Sequence, residues 1–263
     1  MAKAGGRFVH LILDAFSLKG KSALVTGSSR GLGAAIAVAL AEAGANVAVH
    51  GSSSAPTATQ QKIQALGVKS AALVGDVGEA AVCARLVEDT VQQLGAVDIL
   101  VNNAGIIRRS PAADHSEEDW KAVIDVDLTS VFRLTQHAGR LMLARGSGKI
   151  INIASLLTFQ GGILVPSYAA AKGAVGQLTK AFANEWASKG VNVNAIAPGY
   201  MDTDNTEALR NNPERARQIL ERIPAGHWGK PEDLAGAAVF LASAASSYVH
   251  GHILVVDGGW LNR

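Results

Sequence analysis

The stretch SALVTGSSRGLG, residues 22–33, predicts how this chain folds. Residues 22–27 form a short apolar run of the kind found in buried strands, and an alanine-rich helical pattern follows from Leu32 to Ala43. The glycines between them lie where a strand has to turn sharply into a helix. A strand followed by a tight turn and a helix is the repeating unit of α/β proteins.

The same alternation continues to the end of the chain. Continuous apolar strands separated by helices are typical of a parallel sheet covered by helices on both faces. The sequence therefore predicts an α/β, doubly wound Rossmann fold with a single seven-stranded parallel sheet. We expect residues 18–263 to form one dinucleotide-binding catalytic domain behind an N-terminal extension, 1–17. The further strands are expected at 46–51, 70–76, 97–105, 148–155, 191–199 and 252–259, and the further helices at 56–66, 79–94, 116–125, 128–144, 168–188, 203–222 and 231–242.

Composition narrows the classes of partner. The chain has 263 residues, 48% of them hydrophobic, and a formal net charge of +2 with no basic stripe, so nucleic acid is not expected as a partner. Apolar runs stay below the ~18 residues of a membrane span, so no membrane is expected either. The single cysteine, Cys83, fits a reducing compartment and a core position, and the dispersed histidines indicate no metal site. We expect a cytoplasmic protein that acts on a small molecule.

The first strand–helix turn has the features of a phosphate-binding loop. Gly27, Gly31 and Gly33 allow the backbone to approach a diphosphate at the helix N-terminus, where free N–H groups favour anions. Their spacing, GxxxGxG, meets the usual GxGxxG pattern only approximately, and tight turns without a ligand also use glycines. Placement at the first strand–helix junction favours NAD or NADP binding. The candidate loop residues are Gly27, Ser29, Arg30, Gly31, Leu32 and Gly33.

Selectivity between NAD and NADP is usually determined about 20 residues later. An acid is typical of NAD enzymes there, but this chain has His50 followed by Gly51, Ser52 and Ser53. With Arg30 in the loop, this favours NADP, although exposed arginines in such loops often bind nothing specific. Asp76 and Val77, at the end of the third strand, are candidates for contacts with adenine, and a helix cap is the alternative for Asp76.

Tyr168 and Lys172 lie four residues apart in SYAAAKGAV, 167–175. On a helix the two side chains share a face, one turn apart. An ammonium beside a phenol favours the phenolate and lowers the tyrosine pKa, which produces an acid/base group. The pair alone could also be an ordinary helical tyrosine near a charge.

Several separated motifs agree with an acid/base role. The glycine loop, NNAG (102–105), Ser155, the Tyr168–Lys172 pair and PG (198–199) occur in this order, each at or just past a strand end. Together they resemble the short-chain dehydrogenase/reductase family, over essentially 18–263. Stretches such as INIASLLTFQGG (151–162) are similar to members that act on gluconates and deoxygluconates. The resemblance implies a hydride transfer between a nicotinamide and a secondary alcohol or ketone of a sugar acid.

The resemblance also implies roles for individual residues. Tyr168 would be the general acid/base, Lys172 would lower its pKa and hold the nicotinamide ribose, and Ser155 would bind the substrate oxygen. Asp127 falls where the family normally has asparagine, and it would distort its helix while adding a negative charge near Lys172; the alternative is a carboxylate paired elsewhere and kinetically silent. The residues that would line the cofactor are Asn102, Asn103, Ala104, Gly105, Pro198, Gly199 and Thr203.

On the substrate side, a sugar acid needs a partner for its carboxylate. Arg108 and Arg109 follow the NNAG strand, and a bidentate arginine suits a carboxylate; solvated loop charges are the alternative. Gln160 is a candidate for substrate hydroxyls. The polar segment 203–222 follows a strand's carboxyl end and would act as a lid. The family resemblance implies a homotetramer.

Two other interpretations stay open on the sequence. One is another carbonyl reductase of the same family, such as a 3-oxoacyl-thioester reductase or a gluconate 5-dehydrogenase. The other is a redox-inactive dinucleotide-binding scaffold, for which Asp127 is the only supporting feature.

Overall fold

Seven parallel strands form one sheet in the part of the chain that the computed structural model describes, residues 11–263. The spatial order is β3-β2-β1-β4-β5-β6-β7, which confirms the predicted doubly wound sheet. Most strands end earlier than predicted because the residues after them leave the sheet as loops. The strands are β1 Ser22–Val25, β2 Asn46–Gly51, β3 Ser70–Val74, β4 Ile99–Asn102, β5 Gly148–Ile153, β6 Val191–Pro198 and β7 Ile253–Val256.

Helices connect the strands and cover the sheet. None of those in residues 11–263 is long and apolar enough to cross a membrane, and the same residues hold no cluster of three metal-ligating side chains. The helices are α1 Gly31–Glu42, α2 Thr57–Ala65, α3 Ala80–Leu94, α4 Glu117–Ile124, α5 Ser130–Arg145, α6 Pro166–Trp186, α7 Glu207–Arg210, α8 Pro213–Arg222 and α9 Ala235–Ala242.

Two helix predictions were wrong in detail. The single helix expected over 203–222 is two, because Pro213 lacks an N–H and disfavours helical geometry at the residue before it. The Asn212 side chain accepts a hydrogen bond from the Arg215 N–H and starts α8 there. The helices expected at 116–125 and 128–144 are joined without a break by a π-helical turn, Asp125–Thr129.

The apolar core lies on both faces of the sheet. On one face Ala23 and Val25 of β1 pack with α1 and α9; on the other Leu24 packs with α3, α5 and α6. This alternation explains why the strands are apolar throughout. Cys83, on α3, lies in the core as predicted, on the same face of the sheet as Leu24. Burial raises the pKa of its thiol to about 11.

The order in which strands are added to the sheet reverses between β1 and β4. It runs outward from β1 through β2 to β3 and then returns to place β4 on the other side of β1. The loops after β1 and β4 touch at this point: a Cβ on Gly27 would lie 2.8 Å from the Ala104 Cα. Crevices outside the carboxyl ends of such strands are where α/β sheets bind their ligands.

Part of the N-terminal extension lies outside the described residues, namely 1–10. The remainder forms a short 3-10 helix, Ile12–Phe16, whose Phe16 ring lies 6.4 Å from the Phe240 ring of α9. Leu18 is buried and donates its N–H to the Ala43 carbonyl. The division of the chain at residue 17 stays a prediction.

Candidate active site

Ser155, Tyr168 and Lys172 converge at the carboxyl end of the sheet. Ser155 follows β5, while Tyr168 and Lys172 lie one turn apart on α6, which begins at Pro166 as N-terminal prolines favour. Ser155 and Tyr168 line a cavity of about 420 Å³. The Lys172 ammonium lies 5.4 Å from the centroid of the Tyr168 ring and donates a hydrogen bond to the Ile153 carbonyl at 3.0 Å.

The Ser155 hydroxyl is oriented by its own loop. Its oxygen accepts a hydrogen bond from the Leu157 N–H at 3.1 Å, which leaves its proton free to be donated. It is also near enough to the phenol to lower the pKa of Tyr168. Two separate segments therefore place a hydroxyl and a phenol on one side of the cavity.

Several groups act on the pKa of Tyr168. Burial raises it most; the Lys172 ammonium opposes burial, the Asp127 carboxylate adds to it, and the balance lies above the ordinary value. For Lys172, burial lowers the pKa, but Asp127 and Tyr168 together outweigh burial and hold it above its usual value. Lys172 is therefore held as an ammonium beside the phenol.

Asp127 is fully buried in the π-helical turn. One carboxylate oxygen accepts the Ile106 N–H at 2.8 Å, and the other lies 3.4 Å from the Lys172 nitrogen. Burial raises the pKa of Asp127, against the opposing effects of Lys172 and the Ile106 N–H. A Cβ on Gly105 would lie 2.8 Å from the same carboxylate, so the loop after β4 packs directly on it. The predicted helix distortion is present at this residue.

The loop between β1 and α1 fits a bound diphosphate. Gly27 and Gly31 have φ of +61° and +56°, which favour glycine. A Cβ on Gly33 would lie 2.3 Å from the Gly27 carbonyl oxygen, so this close approach also needs glycine. No side chain caps the N-terminus of α1, and its first N–H groups are therefore suited to an anion. Leu32 lies on the wall of the cavity.

Two predicted cofactor contacts are used inside the fold. The buried His50 ring accepts the Gly27 N–H at Nδ1, and its Nε2 lies 2.8 Å from the Gly75 carbonyl, so both ring nitrogens have partners inside the protein and the ring holds the glycine loop. Asn102 is buried as well, where its amide donates to Asn152 and Thr135. His50 lies next to the end of β2 and Asn102 ends β4, positions at which ligand contacts are common in such sheets.

The next residue, Asn103, ties the two central loops together. Its amide donates to the Thr26 and Gly27 carbonyls, and the Ala104 N–H donates to the Thr26 hydroxyl. These bonds fix the position of the loop after β4 against the loop after β1.

All but one of the remaining residues expected at the adenosine end lie at the surface. Arg30 pairs with Asp204, Nε to Oδ2 at 2.6 Å, and Ser52 and Ser53 are exposed. Asp76 is exposed too, and its carboxylate accepts the Gly78 N–H, while Glu79 is at the N-cap position of α3 without a side-chain capping bond. Val77 is buried against α3.

The two arginines after NNAG have different environments. Arg108 is not among the residues that line the cavity and pairs with Asp119 of α4 at 3.3 Å, so its contact with substrate stays a prediction. Arg109 lines the cavity and donates to the Asn205 carbonyl at 2.9 Å, which connects its loop to the segment 203–222. Its charge reaches the phenol, where it lowers the pKa of Tyr168 slightly. Gln160, Pro198, Gly199 and Thr203 also line the cavity.

Most residues of the outer wall of the cavity were not predicted from the sequence. The lid residues on this wall are Asn205, Thr206, Leu209, Arg215, Gln218, Ile219 and Arg222, and Tyr200 and Trp260 complete it. Arg215, Gln218 and Arg222 follow the spacing of one helical face, which was a signal available in the sequence. The cavity lining includes three arginines, with Arg109, and no aspartate or glutamate.

Comparison with known proteins agrees with this geometry. A protein-family model described as enoyl-(acyl carrier protein) reductase matches residues 27–261. A 2-dehydro-3-deoxy-D-gluconate 5-dehydrogenase of Bacillus subtilis (strain 168) is 55% identical over 253 residues, which are 95% of this chain and 98% of the relative. A protein of the same name from Escherichia coli (strain K12) is 51% identical, over 96% of this chain and all of the relative.

Solved structures show the same likeness. A gluconate 5-dehydrogenase from Burkholderia cenocepacia J2315, in complex with NADP and tartrate, matches with a TM-score of 0.90 at 41% identity, covering 95% of this chain and 99% of that chain. The likeness therefore spans the sheet, the glycine loop and the cavity.

Proposed function

This chain belongs to the short-chain dehydrogenase/reductase family, and from that premise we propose that it oxidises and reduces a sugar acid with NAD(P). The reacting group is a secondary hydroxyl or the corresponding ketone, and the substrate is of the 2-dehydro-3-deoxy-D-gluconate or 2-deoxy-D-gluconate type. One observation carries the proposal: the cavity that holds Ser155 and Tyr168 is lined by three arginines and no acidic side chain. Such a cavity suits a polar anion.

Tyr168 is the proposed proton carrier. In reduction its hydroxyl gives a proton to the carbonyl oxygen, and in oxidation its phenolate takes the proton of the hydroxyl. The free proton of Ser155 hydrogen-bonds the same substrate oxygen and fixes it near the phenol. Lys172 stabilises the phenolate by its charge, and its bond to the Ile153 carbonyl keeps the ammonium in place. When bound, NAD(P) supplies the hydride chemistry.

The glycine loop is the proposed binding site of the cofactor. The uncapped N-terminus of α1 would hold the diphosphate, and the cofactor would extend toward Pro198, Gly199 and Thr203 at the cavity. Lys172 would hold the nicotinamide ribose. NADP is the proposed form, on the support of Arg30 and of a second strand without a terminal acid.

Arg109 and Gln160 are the proposed contacts of polar substrate groups, since both line the cavity. A homotetramer is proposed on the family resemblance. It is supported by exposed apolar side chains on α4 and α5, namely Trp120, Phe132 and Leu141. A cytoplasmic location stays a prediction that rests on the single cysteine.

The test is a matrix of substrates against cofactors. Purified protein is assayed with 2-dehydro-3-deoxygluconate, 2-deoxygluconate, gluconate and an acetoacetyl thioester, each with NADP(H) and NAD(H). We expect turnover with a deoxygluconate, and a fall of about 10²–10⁴-fold in kcat for Tyr168→Phe with little change in the unfolding midpoint. Turnover with the thioester alone would indicate a 3-oxoacyl reductase, turnover with gluconate alone a gluconate dehydrogenase, and binding of cofactor without turnover a scaffold.

A further inference from the structure

Helix α8 presents two differently charged faces. On its solvent side Arg217 pairs with Glu214 at 2.9 Å and with Glu221 at 2.5 Å, so the acidic side chains of the helix are neutralised there. On its other side Arg215, Gln218, Ile219 and Arg222 line the cavity, at the spacing of one helical face. Arg217 of α8 is thus paired with carboxylates, whereas Arg215 and the exposed Arg222 line the cavity, where Gln218 also donates its amide to Glu214 at 2.8 Å.

Arg222 is held in position by an aromatic ring. Its guanidinium carbon lies 4.1 Å from the centroid of the Trp260 ring, and Trp260 is only 4% exposed. A guanidinium stacked on an indole keeps its N–H donors at the edges of its plane, where they can meet a carboxylate with two parallel hydrogen bonds. The stacking fixes the donor plane before any ligand arrives.

Arg215 is oriented by a neighbour on the same face. Its Nη1 donates to the Gln218 amide oxygen at 3.2 Å. Within residues 11–263, neither Arg215 nor Arg222 has a carboxylate within ion-pair distance. Two charges on one cavity wall therefore have no protein counterion in the described chain.

The third arginine of the cavity is tied to the lid backbone. Arg109 donates to the Asn205 carbonyl and thereby holds the segment 203–222 against the loop after β4. Within residues 11–263 Arg109 has no carboxylate within ion-pair distance either, so the outer wall formed by α8 is distinguished by carrying two such arginines.

We propose that Arg215 and Arg222 of α8 bind the carboxylate of the substrate, so that the lid helix selects anionic substrates for the site at Tyr168. This inference rests on the proposed function and adds to it the group that recognises the acid. Removing one charged hydrogen-bond partner of a carboxylate weakens binding about 10- to 100-fold. The loss should appear in KM, since these residues do not take part in proton transfer.

The experiment compares a sugar acid with its neutral amide. Steady-state KM and kcat are measured on both compounds for the wild type, Arg215→Met, Arg222→Met and Arg222→Lys. Arg217→Met, on the opposite face of the same helix, is the matched control. We expect the KM for the acid to rise about 10- to 100-fold in the two Met variants, with a smaller rise in Arg222→Lys. The KM for the amide and the kinetics of Arg217→Met should stay near wild-type values.

Thermal unfolding of each variant separates loss of binding from loss of fold. Should Arg222→Met fail to fold because Trp260 loses its cover, Arg215→Met and Arg222→Lys carry the test. An unchanged preference for acid over amide in these variants overturns the inference and leaves the proposed function intact. An equal loss for acid and amide overturns it as well, because a supporting role would affect both compounds. A wild type inactive on every sugar acid overturns both proposals.

Discussion

The Lys172 ammonium lies 3.4 Å from the Asp127 carboxylate, and both side chains are buried. Each charge has one further partner, since Ile106 donates its N–H to the carboxylate and the Ile153 carbonyl accepts from the ammonium. Buried ion pairs persist when additional hydrogen bonds compensate for the loss of water. The family pattern has an uncharged amide at this position, so the carboxylate adds a charge to the surroundings of Tyr168.

Asp127→Asn should shift the pH dependence of oxidation. In the proposed mechanism oxidation needs the phenolate of Tyr168, and the Asp127 carboxylate raises the pKa of that phenol. Without the carboxylate the phenolate forms at lower pH, so the acidic limb of the kcat/KM profile should move to lower pH. The measurement is a pH–rate profile in the direction of alcohol oxidation.

The control for this prediction is Asp125→Asn in the same π-helical turn. Asp125 pairs with Lys121 on the surface, and its loss should leave the profile in place. A profile for Asp127→Asn that coincides with the wild type would show that the carboxylate has no electrostatic effect on the phenol.

The arrangement of Tyr168 and Lys172 and of the glycine turn could be predicted from the sequence because its geometry is local. Tyr168 and Lys172 share one helical face at any place where α6 forms, and the turn at Gly27 follows directly from a strand that meets a helix. The helix distortion at Asp127 could be predicted as well, but only from the family resemblance. The apolar periodicity of the sequence does not distinguish the π-helical turn from an α-helix.

The substrate side depended on tertiary packing. Arg108 and Arg109 are neighbours in sequence, but only the structure shows that Asp119 attracts one and that the other turns to the lid. Trp260 reaches the cavity from the far end of the chain, a contact that no local pattern indicates. His50 stands where a nucleotide contact is usual, but its ring had a partner in the glycine loop.

Asp204→Asn should strengthen the binding of NADP. The Asp204 carboxylate forms an ion pair with Arg30, the residue proposed to bind the 2′-phosphate of NADP. An exposed ion pair is worth about 0.2–1 kcal/mol, so its removal should lower the KM for NADP by up to about fivefold and leave the KM for NAD unchanged. Arg30→Met should raise the KM for NADP.

The control is Asp202→Asn, which removes a neighbouring carboxylate paired with Arg210. A higher KM for NADP in Asp204→Asn would contradict this role of Arg30.

His50 should make the fold sensitive to acid. Burial lowers its pKa below the ordinary 6.5, against weaker opposing effects of the Gly75 carbonyl and Asp76. Below pH 6.5 the unfolded chain therefore binds the proton more readily than the folded chain. Its contribution to stability is complete above pH 6.5 and is lost as the pH falls through the folded-state pKa, where a protonated Nδ1 can no longer accept the Gly27 N–H.

His50→Gln removes the titrating group and should flatten this pH dependence. The free energy of unfolding, measured with urea at pH 7.5 and 5.5, should differ less between the two values in the variant than in the wild type. His252→Gln, at an exposed histidine, should keep the wild-type difference. An equal loss of stability at pH 5.5 in His50→Gln and the wild type would assign the acid sensitivity to other groups.

Gly105→Ala should disturb the Asp127–Lys172 pair from the other side. The added Cβ would lie 2.8 Å from the Asp127 carboxylate, which the Ile106 N–H and Lys172 hold in place, so the carboxylate has to shift. We expect a loss of about 1–3 kcal/mol in the free energy of unfolding, as for other overpacked sites, together with a lower kcat.

Gly173→Ala is the matched control, because no atom lies within 4 Å of its added Cβ on α6. This substitution should stabilise the helix by about 0.5–1 kcal/mol. Combining Gly105→Ala with Asp127→Ala removes the group that the methyl would strike, so the stability cost of Gly105→Ala should be much smaller in that background than in the wild type. Additive costs in this double-mutant cycle would place the strain elsewhere in the loop and separate it from Lys172.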